Sequence, residues 1–396
     1  MVYHPGEFQV FDLCIKVKDK EAQRAKTLLL ENGLIDFDRK PAHQEGHVIF
    51  PIKDITRARM KTILGDEFEL IKYECKLNEK KRKGNLASLL QNTIPDELME
   101  FVPISFNILG KIIILELKSE LNQFKEKIAE NLVRIHPNIK SIYNKVSERE
   151  GDYRVNKFEL LWGDNNPVTT HLENECKYQV NIEEVFFDPR LSNEHGRIVT
   201  QVNERSGTQE INILDLFCGV GPFIIPLAKI PRVRLWGVDL NPSAIYYLEQ
   251  NLALNKIEKN KVSVYLSDAN EFTSPEFKKK ENYPDFDVIL LNLPRRAHEF
   301  IRSIYPLLKN SGLIHWYTVA REFTDNKVID EGNPDDLLKN LESLKNPAMK
   351  NPLDDICIDG LKVVKDVGLK IKRITRIKPY SPYKFIFCFD LEKLAH

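Results

Sequence analysis

The stretch ILDLFCGVGPF (213–223) runs from an apolar segment into Gly219-Val220-Gly221 and on into another apolar run. That is the pattern of a strand, a tight loop and a helix start. Two glycines at such a junction let a ligand approach the backbone, and the first turn of a helix offers free N–H donors. Asp239 lies twenty residues after Gly219, at the end of the next apolar segment, where a carboxylate suits a pair of ribose hydroxyls. These residues predict a nucleoside-containing cofactor held by Gly219, Gly221 and Asp239, with Phe217 and Leu240 beside them. A dinucleotide fingerprint would need a third glycine where this chain has Ile224, which hinders the close helix–strand packing that glycine allows. Asp268, followed by Ala269, comes after the third strand, where a polar group reaches an adenine edge. Asp215 stands before the loop, and either meets the methionine amino group or orients and caps the turn. The fourth strand ends in Asn292-Leu293-Pro294 rather than anything suited to nicotinamide. Polar groups at successive strand ends favour S-adenosylmethionine over NAD. Asn292, with an acceptor and two donors, can hold a base edge. An Asn-Pro-Pro-aromatic run here is associated with methylating exocyclic amino groups, and Leu293 and Arg295 depart from it.

Such residues must be positioned by regular elements. From Ile211 the strands INILDLF, VRLWGVDL, KVSVYLS, FDVILLNL and GLIHWYTV alternate with helical stretches. This predicts an α/β fold with a doubly wound, mostly parallel, Rossmann-like sheet. Near the end, IKRITRIKPY and YKFIFCFDL read as two neighbouring strands joined by SP. Residues 325–360 read as an acidic, Asn/Pro-punctuated insertion. Earlier in the chain, residues 8–18 read as a strand, followed by a helix ending at Gly33 and by strands at 47–52 and 68–77. EKKRKGN (79–85) is a basic linker, either solvated or touching phosphates. IIILEL (112–117) is a strand. The helix after it carries Leu121, Phe124, Ile128, Leu132 and Ile135 on one face, a core stripe. Lys177–Phe187 alternates as a strand, and NERSGTQE (203–210) is a turn-rich boundary. The division expected is a small α+β module at 1–78, a middle α+β domain at 86–202 and the Rossmann-like domain at 203–396.

Composition limits the function classes. The chain has 396 residues, and its 58 Lys+Arg balance 58 Asp+Glu at a pI of about 7.1. A uniformly basic surface is excluded, a segregated one is not. Residues 325–360 hold nine acidic and four basic side chains, whereas 361–384 hold eight basic and one acidic. No apolar run is long enough to span a membrane. The six cysteines form no CxxC pair, and neither secretory signal nor transit peptide is evident, so a reducing cytoplasm is expected. The nine histidines form no HExxH pattern, and no metal ligand is assigned.

Together, GDYRV (151–155), FFDPRLSNE (186–194), DLFCGVGPF (215–223), VDLNP (238–242), NLPRRAHEF (292–300) and KPYSPYKF (378–385) resemble the archaeal and eukaryotic tRNA (guanine-37-N1)-methyltransferase family over nearly the whole chain. The glycine loop is generic to methyltransferases; the pairing of FFDPRLSNE with NLP is specific. The resemblance implies S-adenosylmethionine as cofactor and tRNA as partner, with the N-terminal module on the elbow and the anticodon loop at the site. Guanine N1 carries a hydrogen, so methylation needs a general base at N1 and a donor at O6. By resemblance Glu194 is the base and Arg154 the donor. Asn292 holds the base edge and Pro294 shapes the turn. Arg190 and Phe186 line the pocket, with Phe186 placed to stack on a base. From its own surroundings in sequence, Glu194 reads first as a carboxylate in the opening turn of a helix starting near Ser192, and only the motif reverses that preference. The family usually has Thr and Arg where this chain has Asn193 and His195.

Other readings are a bifunctional member that also methylates the wyosine precursor at position 37, and the aminocarboxypropyl transferase of wybutosine synthesis. Pro189-Arg190-Leu191 and Asn292-Leu293-Pro294 argue against the latter. From a different class comes a non-catalytic tRNA-binding protein, which the intact Gly219, Gly221, Asp239, Asn292, Arg154 and Glu194 argue against.

Overall fold

Among the described residues, period-two apolar segments fold into four sheets, divided between two compact units: Met1–Ile104 with Lys118–Pro137, and Ser105–Leu117 with Asn138–His396. The computed structural model describes residues 12–32, 34–36, 39–53, 57–65, 68–76, 86–146, 156–207, 209–321, 328–343, 353–381 and 383–395. Arg154 and the rest of GDYRV, and the basic stretch 79–85, lie outside the described residues.

In the first unit, β1 (Asp12–Lys18), β2 (Ala42–Gln44), β3 (His47–Pro51) and β4 (Glu69–Tyr73) form an antiparallel sheet in the order β2-β3-β1-β4. Its core joins Ile15, Val17 and Phe50 of the strands to Leu29 and Met60 of the helices Ala22–Glu31 and Arg57–Leu64. The stripe from Leu121 to Ile135 is not one α-helix. Ser119–Phe124 is 3-10 and only Lys125–Ile135 is α-helical, with Leu121, Ile128 and Leu132 buried.

The second unit opens with β5 (Asn107–Leu109), β6 (Ile112–Leu115), β7 (Ser141–Lys145) and β8 (Phe158–Gly163), a sheet in which β6 and β7 are parallel. The hairpin β9 (Val168–Glu173) and β10 (Cys176–Asn181) turns through Asn174 and Glu175, both with positive φ, as a two-residue hairpin requires. The strand expected over 177–187 stops at Asn181, whose side chain accepts the Glu183 N–H at 3.0 Å and bends the chain away. The helix Ser192–Ser206 follows and ends at Gly207, which has φ +45. The boundary expected at 203 therefore falls inside a helix: the polar residues there face outward from a last turn that still buries Ser206.

The main sheet contains β11 (Ile211–Asp215), β12 (Val233–Asp239), β13 (Val262–Leu266), β14 (Phe286–Leu291), β15 (Leu308–Arg321), β16 (Val328–Gly332), β17 (Leu369–Ser381) and β18 (Lys384–Lys393). Its order is β13-β12-β11-β14-β15-β18-β17-β16. The first five pair in parallel and the last three join antiparallel. The chain reverses direction across the sheet between β11 and β14, the place where α/β sheets open a ligand crevice. Successive residues alternate between two cores. Ile213, Val288 and Tyr317 face Ile198, Ile225 and Leu248, while Leu214, Ile289 and Trp316 face Ile301 and Leu361. The expected insertion contributes the edge strand β16 and two helices, Pro334–Ser343 and Leu353–Asp366. The second of these lies so close to the sheet that a Cβ on Gly360 would meet Trp316 at 2.1 Å.

Candidate active site

The cofactor side is built at the ends of β11 and β12. Gly219 has φ +53 and open space where a Cβ would stand. Gly221 has φ +91, and a Cβ there would lie 2.5 Å from Leu248. Gly219 therefore serves the turn and keeps a ligand face open, while Gly221 lets the loop seat against the helix Pro242–Leu254. The Gly219 N–H donates to Asp239 Oδ2 at 2.8 Å, and the Asn241 N–H donates to Oδ1 at 2.9 Å. Asp239 thus braces the loop, and burial raises its carboxyl above the usual range.

Asp215 is fully buried. The Phe217 N–H donates to Oδ1 at 3.3 Å, and Oδ2 has no hydrogen-bond partner among the described residues. Burial pushes this carboxyl up to about 7, with Asp239 adding to the effect and the Phe217 N–H opposing it. A buried carboxylate oxygen without a donor is costly, and a cationic donor is the ligand group that satisfies it best. Asp268 caps the helix Ala269–Phe272 by accepting the Asn270 N–H at 2.8 Å, and Ala269 is buried behind it. Leu240 and Leu266 are exposed, Leu266 lying in register with Asp239. Phe217 stands edge-on to Phe300, ring centroids 5.2 Å apart. S-adenosylmethionine brings an ammonium, a ribose diol and a flat adenine. Asp215, Asp239, and the Leu240, Leu266 and Asp268 edge fit these in turn.

The second constellation begins at FFDPRLSNE. Asp188 caps the turn before the helix by accepting the Arg190 N–H at 3.1 Å. It also binds the Arg190 guanidinium at 2.9 and 2.8 Å and the Lys378 ammonium. Burial alone would raise this carboxyl, but Arg190 and Lys378 hold it well below the usual range. The Arg190 side chain is thereby spent on Asp188, and Phe186 is exposed. Glu194 lies in the first helical turn, buried. Its Oε1 accepts the Tyr317 hydroxyl at 2.6 Å and Arg197 Nη2 at 2.8 Å, and its Oε2 accepts Arg197 Nε at 2.8 Å. Burial holds the Tyr317 phenol well above its usual range, so it stays protonated and donates. The neighbouring His195 places Nδ1 2.6 Å from Glu173 and packs edge-on against Phe223.

These two sides meet at the carboxyl ends of the parallel strands. Leu291, the last residue of β14, pairs with Trp316. Tyr317 is the next residue of β15, and Asn292 follows directly on the end of β14. Phe223, just past the glycine loop, touches both His195 and Tyr317, with centroids 4.6 and 5.9 Å away. Asn292, Leu293 and Pro294 are half-buried, and the Leu293 carbonyl closes their turn by accepting the Arg296 and Ala297 N–H groups at 2.8 Å. Sequence reasoning missed Arg197, Tyr317, Asp390 and His315. Only Arg197 carried a signal, its i,i+3 spacing from Glu194.

Comparison with known proteins decides the family. The TRM5/TYW2 methyltransferase domain matches residues 169–333, the TYW2 N-terminal domain 86–166 and the tRNA methyltransferase 5 N-terminal domain 14–60. The chain is 32% identical over 315 residues to the tRNA (guanine(37)-N(1))-methyltransferase Trm5b of Methanocaldococcus jannaschii, covering 78% of this chain and 88% of that protein. The chain belongs to the tRNA (guanine(37)-N(1))-methyltransferase family. It is 34% identical over 310 residues to Trm5b of Pyrococcus abyssi, covering 78% and 85%. A solved complex of aTrm5 with tRNALeu is similar in fold, with a TM-score of 0.58, 27% identity and coverage of 96% and 99%. As a member of the tRNA (guanine(37)-N(1))-methyltransferase family, the chain is an S-adenosylmethionine-dependent methyltransferase. None of its described helices is long and apolar enough to cross a membrane.

Proposed function

We propose that this enzyme transfers a methyl group to N1 of guanosine 37 in the tRNA anticodon loop, with Glu194 as general base. One observation carries the reading: a buried carboxylate, Glu194, stands at the same strand ends as the glycine loop, joined to them through Tyr317. S-adenosylmethionine, when bound, supplies an electrophilic methyl group on a sulfonium. Asp215 Oδ2 binds the ammonium and Asp239 the ribose, which orients the methyl toward the base. Glu194 accepts the N1 hydrogen as a proton. With that proton held on Glu194, the electron pair left on N1 would be free to take the methyl group that the sulfonium gives up. Charge gathers on O6, where Arg154 donates. Asn292 holds the base edge, Pro294 fixes the turn beneath it, and Phe186 offers a ring to stack on. Positioning supplies much of the rate, and the target base, in a loop, is splayed out at modest cost.

The division into an elbow-reading module, a middle domain and a methyltransferase domain belongs to this reading. So does a cytosolic location, which suits the six buried free thiols. Methyl transfer from labelled cofactor to tRNA transcripts bearing G or A at position 37 tests the assignment. Labelling confined to G37 is expected; equal labelling of both overturns it.

A further inference from the structure

A general base must present one lone pair to its proton and keep the rest engaged, or its geometry is not defined. An ionised carboxylate has roughly four acceptor sites on two oxygens. Glu194 Oε1 takes two donors, the Tyr317 hydroxyl at 2.6 Å and Arg197 Nη2 at 2.8 Å. Oε2 takes one, Arg197 Nε at 2.8 Å. Of the two oxygens, Oε2 is therefore the one with acceptor capacity left.

The guanidinium that makes this distinction is itself fixed from the far side. Arg197 Nη1 donates to Asp390 Oδ2 at 2.9 Å, and Nη2 lies 3.3 Å from both Asp390 Oδ1 and Cys388 Sγ. Asp390 Oδ1 is 2.7 Å from His315 Nδ1, and Oδ2 also accepts the Gln201 amide at 3.2 Å. His315, Cys388 and Asp390 present atoms within 4.8 Å of one another, as a metal site would. The cation at this place is Arg197. The ionisable groups around Glu194 are thus Arg197 on its own helix, Tyr317 and His315 on β15, and Cys388 and Asp390 on β18. Burial keeps the Cys388 thiol neutral, far above its usual range. Burial would also raise Asp390, but His315 and Arg197 hold it well below the ordinary carboxylate range, so Arg197 faces a fixed negative charge at Asp390.

We propose that Arg197 is a positioning residue for methyl transfer: clamped between Glu194 and Asp390, it selects Oε2 of Glu194 as the atom that takes the guanine N1 proton. Tyr317 fills Oε1, and His315 and Gln201 orient Asp390. This rests on the reading of Glu194 as the base. A planar fork binding both oxygens in plane is a role that lysine cannot copy.

Single-turnover methyl transfer to a G37 transcript, over a pH series at saturating cofactor, tests it with Arg197→Met, Arg197→Lys, Tyr317→Phe and Glu194→Gln. Calorimetry with S-adenosylmethionine checks that each variant is folded. Arg197→Met removes both the charge beside a buried carboxylate and the fork: the rise of rate with pH moves up by about one unit, the plateau drops about tenfold, and together these lower the rate at pH 7 by up to about 100-fold. Arg197→Lys restores the charge without the fork. Its rise returns to within about half a unit of the parent while its plateau stays about tenfold low. Tyr317→Phe opens the second oxygen and lowers the plateau about fivefold. Should Arg197→Met not fold, the lysine and phenylalanine variants decide. A parental plateau in Arg197→Lys, or an Arg197→Met loss equal at every pH, overturns the positioning role. A parental rate in Glu194→Gln sinks the reading of Glu194 itself, a separate outcome.

Discussion

The glycine loop and the Glu194 cluster are both buried acidic sites at the same edge of one sheet, and they are finished to different degrees. At the loop, Asp215 keeps an oxygen with no partner and a carboxyl pushed up to about 7. At the cluster, Glu194 is met by three donors and Arg197 is held on both flanks. The first site is incomplete until a cation arrives, which is how a binding site gains selectivity for an ammonium. The second is complete but for one oxygen's remaining capacity, which is how a proton acceptor keeps its aim without a ligand. Binding and chemistry are thus assigned to separate carboxylates, and the difference can be broken from either side.

The largest effect on the binding side is expected from Asp239→Ala, which removes both the brace on Gly219 and the carboxylate proposed to hold the ribose. Cofactor affinity measured by calorimetry should weaken about 30-fold or more, roughly one charge-assisted hydrogen bond. The single-turnover rate at saturating cofactor should fall far less. Gly221→Ala should cost about 1–3 kcal/mol in denaturant unfolding, because φ is +91 and Leu248 stands 2.5 Å from the new Cβ. The same change at Gly219, which faces open space, should destabilise less and show mainly in cofactor affinity. The smallest effect concerns protons. Asp215 is raised from 3.8 to about 7 by burial, so its ionisation disfavours the folded, cofactor-free protein as pH climbs through that window. An ammonium on Oδ2 reverses this, and about half a proton should be released per cofactor bound at pH 7. Calorimetry in buffers of different ionisation enthalpy reads that number, and Asp215→Asn should bring it near zero.

The same contrast explains what was legible in the sequence. The loop side is local: Asp215, Gly219 and Gly221 are consecutive features of one strand–loop–helix unit, and Asp239 closes the next strand. Strand periodicity together with the glycine loop was therefore enough to place Asp215, Gly219, Gly221 and Asp239 at neighbouring strand ends of a mostly parallel sheet. The Glu194 cluster is not local. Tyr317 comes from 123 residues away and Asp390 from 193 residues beyond Arg197, and neither lies in a motif that announces a partner. Glu194 itself was singled out only by family resemblance, because a first-turn glutamate has an ordinary reason to exist. The helix Ser192–Ser206 shows why the boundary at 203 misled: a polar, turn-rich string can still be the outward face of a helix end. Residues 325–360 misled in the opposite direction, since that acidic, Pro-punctuated sequence holds an edge strand and most of a helix packed on the sheet.

The separation of binding from chemistry is tested most directly by Glu194→Gln, measured for single-turnover methyl transfer to G37 tRNA and for S-adenosylmethionine affinity in the same preparation. The rate should fall by about 100-fold or more and recover in part as pH is raised, since solvent base can then remove the N1 proton. Cofactor affinity should stay within about twofold of the parent. An undiminished rate, or a loss that follows weakened cofactor binding, would contradict the account.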